Sequence, residues 1–282
     1  MKWWQIAMTR RWLGYLAFAV VFAIACGFLS AWQASRGNDA VAANALLDKN
    51  FNSQPLPLQS VIPGLTSFRA DQEWLRVTVS GSYLPKEQLL VRNRPTDAGP
   101  GFEVLTPLRL ADGSVFIVDR GWVPTGNKQD RPDYVAPAPS GAVVATVRLR
   151  PSEPKTDAGS ASGGEIGTIA LGEVQARTGG AVYTGAYGIL DSQTPVGAAG
   201  LTPVVTSEPT QDEGLHWSYM IQWVLFALIG FFGLFYAVRQ EIRLRREDEP
   251  EERARAAERE RKRALKPSDA DIEDELIDSV RR

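Results

Sequence analysis

The only histidine of the 282 residues, His216, stands directly before a long uncharged segment, in EGLHWSYMIQWVLFALIGFFGLFYAVRQ. Imidazole is the side chain best suited to bind a metal or move a proton near neutral pH, and polar groups at a membrane boundary are often functional. On a helix, His216 shares one face with Tyr219, Met220 and Trp223. This face combines a metal ligand, a hydroxyl, a thioether and an indole. The alternative is an interfacial histidine beside ordinary aromatic residues of the lipid boundary.

If His216 binds a metal, haem iron is a more economical hypothesis than zinc. A structural zinc site needs four protein ligands, and the sole cysteine, Cys26, lies inside another apolar segment. Haem iron needs only one or two axial ligands. Met220 lies one turn along the same face and cannot reach the position trans to His216 on a flat macrocycle. The second axial ligand would therefore come from another chain or from water.

Two uncharged segments predict transmembrane helices at residues 12–34 and 216–238, since about 20 apolar residues cross roughly 30 Å of hydrocarbon. Tryptophan and tyrosine flank both segments, as at lipid interfaces. A cleavable signal peptide is the alternative for the first segment, but the segment is long and lacks a small-x-small site before Trp32. Cys26 is expected to be a small buried core residue.

Basic residues place both predicted termini in the cytoplasm, with the cell membrane as the location. They precede the first segment and follow the second: Lys2, Arg10 and Arg11, then Arg239, Arg243, Arg245 and Arg246. Residues 1–11 are then a cytoplasmic N-terminus, 35–215 an extracytoplasmic domain, and 239–282 a charged cytoplasmic tail. In that tail, Glu258 four residues before Lys262 can support a helix. The tail is expected to be solvated and partly disordered, with partner docking as the alternative.

The segment 35–215 reads as β-rich. EWLRVTVSG places Leu75, Val77 and Val79 on one face of a strand, and EQLLVRNR suggests another strand. FEVLTPLRLADGSVFIVDRGWVP predicts a hairpin turning at Asp112-Gly113. Strands near 143–149 and 181–190 would complete a small antiparallel sheet or open barrel. The predicted fold class is a membrane protein of mixed α and β structure, with two transmembrane helices flanking an extracytoplasmic, mostly antiparallel β domain.

Two stretches of this domain read as connections. Residues 36–70 start as an alanine-rich helix, NDAVAANALLDKNF, and then become proline-rich. Residues 151–167 are rich in Pro, Gly and Ser and predict a mobile loop without a site.

Catalysis finds little support in this sequence, so we expect no enzyme. No GxSxG, P-loop or HExxH motif occurs, and one histidine with a membrane-buried cysteine leaves no ordinary Ser-His or Cys-His pair. The net charge of −2, without a basic patch, gives no reason to expect nucleic acid. Five aspartates are expected to be solvated loop carboxylates: Asp97, Asp112, Asp119, Asp130 and Asp133.

Two short motifs suit either a partner or a structural role. Arg120-Gly121-Trp122 follows the hairpin, and an arginine beside a tryptophan can recognise a propionate or a partner carboxylate. The favoured interpretation is that Gly121 allows a bend and Trp122 packs on the sheet. At the exit of the first span, Trp32 suits the interface and Arg36 can extend its charge to water.

Together these motifs resemble the surfeit locus protein family, the membrane-bound assembly factors of haem a-containing cytochrome c oxidase. The matching pieces, in the family's order, are Trp32-Gln33-x-x-Arg36, GSYLPKEQLLVRNR, GPGFEVLTPLRLADGSVFIVDRGWVP and His216-x-x-Tyr219-x-x-x-Trp223. The resemblance covers roughly residues 12–240. The family usually has glycine where Ser30 stands and often a lysine shortly after Arg36, which is missing here. The Gly/Ser-rich loop and long charged tail resemble actinobacterial members.

The resemblance implies a role in building the oxidase, by receiving haem a from its synthesis enzymes and presenting it to the catalytic subunit. His216 would be the candidate axial ligand of the haem iron, with Tyr219 and Trp223 on the candidate haem face. Implied partners are oxidase subunits, haem a synthesis enzymes and membrane lipid. The alternative function is a structural accessory protein that binds and stabilises the oxidase or respiratory supercomplex without binding haem.

Overall fold

The computed structural model describes residues 8–156, 163–247 and 250–264. The chain divides into two compact units, Met1–Asn38 with Glu213–Arg282, and Asp39–Asp212. The described residues form α1 (Arg10–Asn50), β1 (Leu56–Pro57), α2 (Leu58–Val61), β2 (Arg76–Tyr83), β3 (Leu89–Val91), β4 (Gly101–Leu110), β5 (Val115–Pro124), β6 (Ala142–Pro151), β7 (Glu165–Ile166), α3 (Leu171–Thr178), β8 (Ala186–Thr194), α4 (Glu213–Glu247) and α5 (Pro250–Ala264).

Helices α1 and α4 are each long and apolar enough to cross a membrane. The predicted segments 12–34 and 216–238 lie within them. Helix α1 does not end with its apolar segment, because the alanine-rich residues after Asn38 contain no proline and favour the same conformation. The expected second helical start in this region is therefore part of α1.

The two helices of the first unit pack antiparallel. The Ser30 hydroxyl donates to the Met220 carbonyl at 3.2 Å, and the Arg11 guanidinium pairs with Glu241 at 3.0 Å, nearer the other ends. The buried residues of α1 recur every seven positions at Trp12, Ala19 and Cys26, the spacing of a left-handed helix pair. The expectation that Cys26 is buried is confirmed, since it is 1% exposed.

The second unit contains a closed five-stranded barrel. The ring order is β2, β6, β8, β5 and β4, and pairing of β2 with β4 closes it. The pairing of β5 with β8 is parallel and the other four pairings are antiparallel. At the closure, a β-carbon on Gly81 would lie 2.2 Å from the Arg109 carbonyl oxygen, so only glycine lets these strands approach. Strands β1, β3 and β7 extend the sheet.

Strand β5 has two buried faces, which explains its nearly continuous apolar sequence. Phe116 and Val118 pack into the core inside the barrel, whereas Val115 and Ile117 pack into a second core that includes residues of α3. The predicted inner face of β2 is confirmed, since Val77 and Val79 are buried in the first core and Leu75 packs against it. The predicted hairpin is also confirmed, with Gly113 at φ +82° between β4 and β5.

Other strand predictions need correction. The strand expected at 181–190 begins five residues later, because residues 179 and 180 are glycines at positive φ and Val182 forms only an isolated bridge to Val115. Helix α3 has no counterpart in the sequence interpretation. The loop expected at 151–167 contains β7, which pairs with β3, and its residues 157–162 lie outside the described residues.

Candidate functional site

His216 is half-buried in the first of the two units, called the helical unit from here on, and forms a hydrogen bond with Gln33. The distance from His216 Nδ1 to Gln33 Oε1 is 3.0 Å. An amide oxygen can only accept, so with this pairing Nδ1 carries the proton. The other nitrogen, Nε2, then carries the lone pair that a metal requires, and a histidine ligand commonly has its second nitrogen held in this way. This donor set fits an axial ligand of haem iron.

The predicted face of α4 divides between two environments. Met220 and Trp223 are half-buried like His216, and their spacing of four and three residues continues one helix stripe. Tyr219 is 42% exposed and lies off this stripe. Trp223 contacts Phe226 edge-on at 5.8 Å between ring centroids. The histidine and the tryptophan therefore share a half-buried stripe, whereas the tyrosine is an exposed residue.

Glycine at position 37 permits close contact beside His216. A β-carbon there would lie 3.2 Å from Cε2 of Trp217 and 3.5 Å from the His216 β-carbon. The sequence interpretation did not identify Gly37, although an isolated glycine within a helical pattern is a signal of close packing. Ser30, seven residues earlier on α1, donates its hydroxyl to the Met220 carbonyl at 3.2 Å.

The residues of the motif Trp32-Gln33-x-x-Arg36 in α1 also lie on different faces of their helix. Gln33 contacts His216, but Trp32 is 57% exposed and Arg36 is exposed. The two exposed residues lie off the Ser30, Gln33 and Gly37 stripe, which follows the spacing of a packed helix face. Trp32 and Arg36 are thus exposed and lie off the helix face that contacts His216.

In the second unit, Asp39–Asp212, called the β unit from here on, Gly121 and Trp122 have structural roles. Gly121 has φ +140°, and a β-carbon there would lie 2.8 Å from the Thr202 carbonyl oxygen. Trp122 exchanges backbone hydrogen bonds with Thr202, and its indole donates to the Arg94 carbonyl at 2.7 Å. The favoured interpretation of a bend followed by a packed tryptophan agrees with these contacts.

Arg120 is buried without a carboxylate partner among the described residues. It is 5% exposed, and its guanidinium donates to the backbone carbonyls of Ala136 and Pro137 at 3.1 and 2.9 Å. The guanidinium carbon lies 5.6 Å from the centre of the Tyr83 ring. Burial lowers the pKa of Arg120. Its charge is therefore available to an anion that the described residues do not supply.

Half-buried Glu103 and Glu153 and buried Asp119 lie around half-buried Arg94, a group that the sequence prediction missed. Arg94 forms ion pairs with Glu103 and Glu153, with nitrogen–oxygen distances of 2.9 and 2.6 Å. The contact of Arg94 Nε with Glu103 does not have hydrogen-bond geometry. Glu153 lies in the segment for which no site was expected. Asp119 was expected to be solvated, which is wrong: it is 1% exposed, accepts from the Gly121 amide at 3.1 Å, and its Oδ2 has no hydrogen-bond partner among the described residues.

Two carboxyl groups of this cluster, those of Asp119 and Glu103, have pKa values above their ordinary range. Burial, followed by repulsion from Glu103, raises the pKa of Asp119 well above its ordinary value. Burial also raises the pKa of Glu103, although Arg94 opposes the shift. The position of Asp119 among apolar residues in VFIVDRGWV was the available sequence signal.

Asp119→Asn should change the pH dependence of stability. The unfolded chain titrates this carboxyl near pH 3.9, and the folded chain does so at a higher pH. The stability that the protonated carboxyl contributes is thus fully present below the unfolded pKa and is lost as the pH rises through the folded pKa. The unfolding free energy of the variant, relative to that of wild type, should therefore rise by about 1–3 kcal/mol between pH 4 and pH 8. Tryptophan fluorescence during denaturant unfolding of the full chain measures this.

Asp112→Asn is the matched control. Hydrogen bonds from the Ser114 hydroxyl and amide to Asp112 lower the pKa of this exposed carboxyl. Its contribution is present above the unfolded pKa and is lost only as the pH falls through the still lower folded pKa, so the stability difference between this variant and wild type should change little from pH 4 to pH 8. The same trend in both variants would contradict the burial argument.

Comparison of this chain with known proteins identifies its family. The SURF1 family model matches residues 20–228. Uncharacterized SURF1-like proteins of Mycobacterium bovis and Mycobacterium tuberculosis are 33% identical over 245 residues, covering 84% of this chain and 87% of each relative. A SURF1-like protein of Rickettsia conorii is 25% identical over 123 residues, which are 43% of this chain and 46% of that protein. The sequence resemblance is confirmed, and the chain belongs to the SURF1 family.

Proposed function

We propose that this chain assists the assembly of haem a-containing cytochrome c oxidase, the process for which the SURF1 family is known. The observation that carries the proposal is the family match over residues 20–228. That range contains the α1 and α4 residues that meet at His216 and Gln33, and the whole β unit. The proposed role is that of a chaperone without a catalytic step.

The proposed topology has α1 and α4 crossing the cell membrane, both termini in the cytoplasm and the β unit outside. Its support is the length and apolar composition of the helices together with the basic residues beyond their apolar segments. Arg11 and Glu241 form an ion pair near one end of the helix pair, and His216 and Gln33 meet near the other. In this topology the histidine lies toward the extracytoplasmic side.

The finer proposal is that His216 binds the iron of haem a transiently as cargo. Its Nε2 would be the axial ligand, and Gln33 would fix the tautomer and the ring orientation by accepting from Nδ1. Trp223 would contribute apolar surface on the same stripe, and exposed Tyr219 a hydroxyl beside it. The second axial ligand would be water or a group of another chain. Haem a synthesis enzymes would supply the cargo, and the catalytic subunit would receive it.

The second candidate is a structural accessory that stabilises the oxidase or a respiratory supercomplex without haem. Helix α5 favours it, since this 15-residue helix in the tail is dense in charge. Its predicted Glu258–Lys262 pair is confirmed at 2.8 Å, with both side chains largely exposed. Charged exposed helices of this kind suit docking to another protein.

Deletion of the gene, followed by complementation, tests the assembly role and separates the two candidates. We expect deletion to lower haem a absorbance in isolated membranes severalfold, with haem b complexes unchanged as an internal reference. Wild type should restore it. His216→Ala should not, because it removes the proposed iron ligand.

Ser218→Ala is the matched control, because it alters an exposed neighbour whose hydroxyl, among the described residues, bonds only the Gly214 carbonyl, and it retains the imidazole. We expect it to restore at least half of the haem a absorbance. Full restoration by His216→Ala would favour the structural accessory, and unchanged oxidase after deletion would contradict both candidates.

Labelling with a membrane-impermeant maleimide tests the topology. Cys26→Ser provides a cysteine-free background, since Cys26 is the only cysteine. We expect exposed Ser207→Cys to react in intact cells and exposed Glu258→Cys to react only after permeabilisation. The reverse pattern would place the β unit inside the cell and contradict the proposal.

A further inference from the structure

A cavity of about 520 Å³ lies beside the last residues of β8 in the β unit. Its wall includes Leu190, Leu201 and Val205, and its polar lining includes Arg120 and Gln193. Volumes between about 300 and 1,000 Å³ are typical of small-molecule sites, which combine apolar walls with a few placed polar groups. The cavity therefore has the size and composition of a ligand site.

The charge of Arg120 is not neutralised in this wall. Its two described acceptors are backbone carbonyls, and its buried Nε has no hydrogen-bond partner among the described residues. Asp191 also lines the cavity, but it is held by Arg76 at 2.7 Å and by Arg148. A buried cation without a counter-ion is costly, so an anion entering the cavity would be stabilised strongly.

A second donor borders the same space. The Tyr83 hydroxyl donates to Gln193 Oε1 at 2.8 Å, which orients the amide of Gln193. A β-carbon on Gly197 would lie 2.6 Å from Gln193 Nε2 and 3.7 Å from Arg120 Nη2. Both nitrogens therefore border the volume that glycine leaves open at residue 197. A cation and an amide donor at one position match the two oxygens of a carboxylate.

We propose that this cavity binds a small amphipathic carboxylate, with its anionic group at Arg120 and Gln193 and its apolar body against Leu201 and Val205. The site belongs to the β unit and involves neither His216 nor Gln33. It does not depend on the proposed role in oxidase assembly. Arg120, for which the sequence left a carboxylate-binding role open, is the anchoring residue of this site.

Titration of the full chain in lipid nanodiscs tests the site, with 4-phenylbutyrate as the probe and 4-phenylbutanamide as its neutral counterpart. Isothermal calorimetry against empty nanodiscs measures both dissociation constants. The acid should bind at least about tenfold more tightly than the amide, because only the acid forms charge-assisted hydrogen bonds with Arg120. Equal affinities, or no detectable binding of the acid at millimolar concentration, would overturn the proposal.

Gln193→Glu provides a second test with little change of shape. Its carboxylate still accepts from Tyr83 but places a fixed anion beside Arg120, so acid binding should weaken at least about tenfold. Gln88→Glu is the matched control, since Gln88 also accepts from a hydroxyl, that of Thr106 at 3.2 Å, and does not line the cavity. It should retain wild-type affinity. Unchanged binding in Gln193→Glu would contradict the assignment. The wild-type comparison of acid with amide decides the question if that variant does not fold.

Discussion

The hydrogen bond between Gln33 and His216 is the contact on which the account of the helical unit depends. An unpaired buried polar group is costly, so an imidazole at the contact of two apolar helices requires a polar neighbour. Gln33 provides it from the facing helix, and Gly37 gives α4 room to approach. The same bond fixes which ring nitrogen carries the proton. One interaction therefore supports both the packing of the helix pair and the chemistry proposed for it.

The β unit presents the opposite situation, because two of its buried ionisable groups, Asp119 and Arg120, have no ion-pair partner among the described residues. Asp119 and Arg120 are adjacent on β5, but neighbouring side chains of a strand point to opposite faces and cannot neutralise each other. Asp119 faces the region of Arg94 and Glu103, whereas Arg120 reaches the cavity near Gln193. Burial favours the neutral form of the aspartate, a response that an arginine makes only at great cost. This difference explains why the arginine is the better candidate for binding an external ion.

Local sequence patterns predicted the parts of the fold that depend on neighbours in the chain. The uncharged segments, the alternating residues around Val77 and the turn at Gly113 all follow from short-range rules. Contacts between distant residues could not be predicted in the same way. Gln33 belonged to a recognised motif, but its contact with His216 depends on the antiparallel register of two helices 183 residues apart. The Arg94–Glu153 pair likewise joins residues 59 positions apart, in the connections that follow β3 and β6, and Glu153 lies in a segment that composition alone marked as a loop without a site.

Haem a content of the purified full chain tests the central claim about His216 most directly. The protein is prepared from cells that make haem a, and a reduced-minus-oxidised spectrum gives haem per chain for wild type, Gln33→Leu and His216→Ala. We expect haem a in wild type, a lower content in Gln33→Leu because the imidazole is no longer held in one tautomer, and none in His216→Ala. Equal haem content in wild type and His216→Ala would show that this imidazole is not the iron ligand.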